Sequence, residues 1–109
     1  MMADGQVWLI ESPVTMIEGE EIAYSVNWLG ASLVEEPYMA VYKNGEDISN
    51  EVLNAIDENV ISGNVLTLKR ILARASDGGA QYVVLVEALV NGNKERRKLL
   101  IHIADAETA

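Results

Sequence analysis

Tyr82-Val83-Val84-Leu85-Val86-Glu87-Ala88-Leu89-Val90 is the longest extended run in the chain. Successive side chains of a strand point to opposite faces, so Tyr82, Val84, Val86, Ala88 and Val90 share one face and Val83, Leu85, Glu87 and Leu89 the other. Both faces are apolar. Asn91-Gly92-Asn93 then turns the chain, the charged residues 94–98 follow as a hairpin arm, and residues 99–104 return as a partner strand. Upstream, Ile22, Tyr24, Val26 and Trp28 alternate with Ala23, Ser25 and Asn27, the period of a strand with one buried face. Residues 7–10 and 14–17 read as a first strand broken near Pro13, because proline donates no ladder hydrogen bond.

Between these landmarks, residues 30–37 read as a polar connection and residues 38–42 as a strand leading into Asn44-Gly45. That dipeptide accepts the positive φ angles of a two-residue hairpin turn. Val52, Leu53 and Ile56 fall at helical spacing behind Ser49 or Asn50 as a cap, so one short helical turn is expected near residues 50–57. Ser62-Gly63-Asn64 predicts a second hairpin, with Leu66 and Leu68 on one face, and residues 73–81 form a corner rich in small residues. About seven strands joined by turn chemistry predict an all-β fold, a sandwich or barrel. No repeat, low-complexity tract or linker divides the sequence, which predicts one domain over residues 1–109.

Composition narrows the function classes. With no cysteine, the chain has neither disulfide nor thiolate chemistry. Seventeen acidic against eight basic residues give a net charge of −9, which repels phosphate backbones and argues against nucleic acid as a partner. The sequence begins without a basic, then apolar, leader and contains no run of the roughly twenty apolar residues that a membrane helix needs. A cytoplasmic or virion-associated location, with no membrane partner, is the expectation.

Leu66-Thr67-Leu68, Ile71, Asp77-Gly78-Gly79 and Tyr82 before alternating valines together resemble a corner of immunoglobulin-like domains, where a tyrosine hydroxyl bonds back to the backbone. Glu18-Gly19-Glu20 before an alternating strand, and the Tyr42-Lys43-Asn44-Gly45 hairpin, are similar to the disulfide-free immunoglobulin-like modules of bacterial surface and phage structural proteins. The resemblance implies an antiparallel β-sandwich with Tyr82 as the corner tyrosine. It also implies Val84 where antibody domains carry a cysteine, and an assembly, spacing or adhesion role. The corner tyrosine stands one residue later than the family's spacing from the aspartate.

The residues offer little for catalysis. His102 is the only histidine, which denies the chain a multi-histidine metal site, and it reads as an outward-facing strand residue. The acidic pairs Glu20-Glu21, Glu35-Glu36, Glu46-Asp47 and Asp57-Glu58 fall at strand ends and turns, where solvated charges are ordinary. Loop calcium using some of Glu18, Glu20, Glu46 and Asp47 is the one metal reading weighed against a solvated acidic rim, because no twelve-residue calcium loop is present. The expectation is a non-enzymatic chain with no catalytic residue, cofactor or resident metal.

One surface stands out. If Tyr82 faces the core, Val83, Leu85 and Leu89 face outward, Leu100 and His102 join them from the neighbouring strand, and Tyr38 and Tyr42 from the hairpin. An apolar and aromatic sheet face is typical of an interface, here for a protein partner or a second copy. The alternative is that the C-terminal tail, the helical segment or a second layer covers these residues. The basic residues in 94–98 are read as a solvated arm, with an acidic partner as the other reading. A structural or interaction module is the leading functional expectation. A carbohydrate-binding module that stacks sugars on Trp8, Trp28, Tyr38 or Tyr42 is the alternative.

Overall fold

The computed structural model describes residues 13–106, so the expected strand at 7–10 and Trp8 lie outside the described residues. The strands run β1 (Val14–Ile17), β2 (Glu21–Ile22), β3 (Ser25–Asn27), β4 (Val34–Lys43) and β5 (Glu46–Asp47), followed by a short helix, α1 (Ser49–Val52). After it come β6 (Val60–Ser62), β7 (Val65–Thr67), β8 (Ile71–Leu72), a 3-10 turn at Ala75–Asp77, β9 (Gln81–Val90) and β10 (Asn93–Ala104). One sheet has the order β1-β10-β9-β4-β5; the second layer is split into β2-β8 and β3-β7-β6. Met39, Val41, Val84, Val86, Leu99 and Ile101 from the first layer and Val26, Leu66 and Ile71 from the second are buried in one core cluster. The protein is thus an all-β sandwich, as the alternation predicts. Full burial of such a side chain contributes about 1.5–3 kcal/mol, so this shared core is the main term holding the layers together.

Two turns follow the expected chemistry. Asn44-Gly45 and Asn91-Gly92 each place both residues at positive φ, which matches the right-handed twist of the flanking strands. A Cβ on Gly45 would meet nothing within 4 Å, so Gly45→Ala is expected to cost about 1 kcal/mol through backbone strain alone, read as a lower urea midpoint at unchanged slope.

Elsewhere the structure corrects the expectations. The ladder is not wholly antiparallel, because β1 runs parallel to β10, with Val14 opposite Ile101 and Ile17 opposite Ala104. The turn after β1 carries the chain to the other layer, so β1 takes the last strand as its neighbour and not the next one. The strand expected over residues 21–29 is broken into β2 and β3, and β7 and β8 are broken opposite that gap. Side chains fill the interruption: Lys69 N–H donates to Asn59 Oδ1 (2.9 Å) and Arg70 N–H to Asp57 Oδ2 (3.0 Å). Strand β4 starts at Val34, inside the expected polar connection, and absorbs the extra residues in a bulge between Glu35 and Tyr38.

The helical turn is four residues long, ending at Val52 instead of running on to 57. Neither Ser49 nor Asn50 caps it; Ile48 holds the cap position, and Ser49 Oγ accepts the Val41 N–H (2.9 Å). Beyond it, Asn54 Oδ1 accepts the N–H groups of both Ile56 (3.0 Å) and Asp57 (3.2 Å), a local alternative that takes those donors away from a helix. Ile56 consequently projects into solvent. The hairpin arm expected over residues 94–98 is the first half of β10, paired residue for residue with β9, so the partner strand begins at Asn93 and not at residue 99.

Candidate functional site: the outer face of the five-stranded sheet

Register fixes which side chains share the face turned away from the core. Reading across the sheet, Glu35, Leu89 and Lys94 form one row, and Tyr38, Glu87 and Arg96 the next. Ala40, Leu85 and Lys98 form the third, and Asp47, Tyr42, Val83 and Leu100 the fourth. Gln81 and His102 follow, with Thr15 of β1 beside the histidine. All seven residues expected at an interface, Tyr38, Tyr42, Val83, Leu85, Leu89, Leu100 and His102, therefore lie on this one face. The second layer packs against the opposite face, and Val52 of α1 is buried in the shared core.

The face is graded in exposure. Tyr38 is 51% exposed, whereas Tyr42, Val83, Leu85, Leu89 and Leu100 are half-buried, and Ala40, with only a methyl group, is covered. Lys94, Arg96, Lys98 and His102 stand exposed along β10. Arg96 Nε donates to Glu87 Oε2 (2.8 Å) across the second row, so that row carries a neutral pair. The result is an apolar and aromatic band on β9 and β4, bordered by basic side chains on β10 and by Glu35 and Asp47 on the far side. The basic border was legible in principle, since Lys94, Arg96 and Lys98 keep the period of two that leads to Leu100 and His102.

Other expected site residues fall elsewhere. Trp28 is buried at 3% exposure and cannot offer a stacking platform, which removes it from the carbohydrate reading. Three of the four acidic residues considered for calcium are engaged with backbone donors, since Glu20 Oε1 accepts Ile17 N–H (2.7 Å), Glu18 Oε1 accepts Ala106 N–H (3.3 Å) and Asp47 Oδ1 accepts Ser49 N–H (2.9 Å), and the fourth, Glu46, is exposed on β5. Among the described residues, no group of three or more histidines or carboxylates gathers in a way that could hold a metal ion, and no helix is long and apolar enough to cross a membrane.

A second polar cluster sits at the corner beside β9. Asp77, at 1% exposure, is the buried charged residue among those described. It accepts hydrogen bonds from the Tyr82 hydroxyl, from Lys43 Nζ (2.6 Å) and from Arg74 Nε (2.8 Å), while Arg74 Nη1 reaches Glu51 Oε1 (2.6 Å). The Tyr82 hydroxyl also accepts the Arg74 backbone N–H (3.2 Å). Burial alone would raise the Asp77 pKa, but the bonds from Lys43, Tyr82 and Arg74 prevail and hold it at about 2. These groups are all satisfied by one another, which is the arrangement of a structural clamp. Comparison of the chain with protein-family models and with curated proteins finds no match.

Proposed function

We propose that the chain is a non-enzymatic, immunoglobulin-like interaction module that docks a protein partner on the outer face of its five-stranded sheet, as a component of a larger bacterial-surface or phage assembly. The observation that carries this reading is the concentration of Tyr38, Tyr42, Val83, Leu85, Leu89 and Leu100 on one face, in registered rows bordered by charge. A sheet face built only for solvent would alternate toward polar residues here, whereas interface centres combine apolar and aromatic side chains with a charged rim. The strand order and the Tyr82 hydroxyl bond to the Arg74 backbone support the immunoglobulin-like part of the reading. The assembly role comes from resemblance alone.

Photo-cross-linking tests it. With benzoylphenylalanine replacing Tyr38, irradiation of the organism's own cells is expected to give a protein adduct of discrete mass. The same probe at Ile56, 86% exposed in the segment before β6, is expected to give none. No adduct from position 38, or the same adducts from both positions, would overturn the assignment of this face.

A further inference from the structure

We infer that the partner on this face is a second copy of the chain, packed face to face about a two-fold axis that runs along β9; this rests on the proposed docking face. The argument begins with the polarity of charge across the sheet. Lys94, Arg96 and Lys98 project from β10 on one side of the apolar band, and Glu35 and Asp47 project from β4 and β5 on the other. The chain as a whole is strongly acidic, yet three of its eight basic residues stand in this single line. A face that is basic at one border, acidic at the other and apolar between is complementary to itself.

Two in-plane two-fold axes can bring such a face onto its copy. Rotation about an axis across the strands lays β10 on β10 and sets basic against basic, so charge disfavours it. Rotation about an axis along β9 lays β10 over β4 and keeps each row in its own register. Lys94 then faces Glu35 of the second copy, and the same contact recurs by symmetry. Leu100 meets Tyr42, Arg96 meets the exposed ring of Tyr38, and Val83, Leu85 and Leu89 pack near the axis. Glu87 approaches its own copy there, but each is already neutralised by Arg96. Strands β4, β9 and β10, ten to twelve residues long, with the short β1 and β5 beside them, offer about 600 Å² per copy at about 4.8 Å between strands and about 3.4 Å per residue, the lower end of the range for specific interfaces.

Charge reversal at exposed positions tests both the partner and the axis. In sedimentation equilibrium at about 0.15 M salt, where screening acts over roughly 8 Å, the parent is expected to dimerise. Lys94→Glu and Glu35→Lys should each weaken the dimer about tenfold, because each sets two like-charge pairs opposite one another. Mixing the two variants should restore parental affinity as a heterodimer, since the reversed charge at position 94 of one then faces the reversed charge at position 35 of the other, and the unchanged Glu35 of the first faces the unchanged Lys94 of the second. A change acting only within one chain would not be rescued by mixing. A dimer that the single variants leave intact, or that mixing fails to rescue, overturns the axis. A monomeric parent overturns self-association, and the cross-link at position 38 then decides the face independently: an adduct to a different protein leaves the face standing, and no adduct removes both.

Discussion

Asp77→Ala is expected to lower the stability of the fold by about 3–5 kcal/mol, the range for removing one partner of a buried ionic cluster. The carboxylate joins the end of β4 through Lys43, the 3-10 turn through Arg74 and the start of β9 through Tyr82. Its loss leaves the buried Tyr82 hydroxyl without its acceptor and two cations facing each other. Lys43 and Arg74 keep about a quarter of their side chains exposed and recruit water, which favours the lower end of the range. Tyr82→Phe, which deletes one hydroxyl and leaves the ion pairs, should cost only about 1–2 kcal/mol. Urea unfolding followed by circular dichroism checks both. A loss below about 1 kcal/mol for Asp77→Ala would show that the cluster merely tolerates its burial.

The same carboxylate gives a pH signature. Its folded pKa of about 2 lies below the unfolded value of 3.8, so the stability it confers is complete above that value and disappears as pH falls through about 2. The difference corresponds to about 2 kcal/mol. Asp57, which the hydrogen bonds from Arg70 also hold at about 2, titrates in the same window. The parent should therefore lose stability between about pH 5 and pH 2, and Asp77→Ala should lose less over the same interval.

What the sequence discloses and what it hides divide along physical lines. The periods of residues 82–90 and of Ile22, Tyr24, Val26 and Trp28 are local, and each assigns its buried face correctly. From that parity alone Val83, Leu85, Leu89, Leu100 and His102 fall on one side. The Asn-Gly turns are equally local, because the required φ depends on two residues. Charge concealed β10: residues 94–98 lack an apolar face, although their spacing is that of the strand they belong to. The helix expected to reach residue 57 failed through competition, since Asn54 satisfies backbone donors that a helix would use. The Asp77 cluster was hidden by distance along the chain, its ties to Lys43 and from Arg74 to Glu51 spanning 34 and 23 residues. The parallel pairing of β1 with β10 is non-local in the same sense.

Trp28 should separate the value of a large side chain from the cost of its one polar atom. It lies just beyond β3, buried, with the Arg97 guanidinium 5.9 Å from the ring centroid. Arg97 is held there from the inward side of β10, donating to Glu95 Oε1 (3.0 Å) and to the Arg96 carbonyl (2.8 Å). The indole Nε1, however, has no hydrogen-bond partner among the described residues. Trp28→Ala therefore removes packing and the cation-π contact and is expected to cost about 3–5 kcal/mol. Trp28→Phe loses part of the same surface but also abolishes a buried unpaired donor, whose presence costs about 1–3 kcal/mol. The two terms nearly offset, so its net effect should stay within about 1 kcal/mol. Chemical unfolding followed by far-ultraviolet circular dichroism reads both variants without relying on the deleted fluorophore. Equal losses for phenylalanine and alanine would mean that the indole N–H is bonded in solution. A large gap between them would identify Trp28 as an apolar plug under Arg97, retained for its volume and ring face.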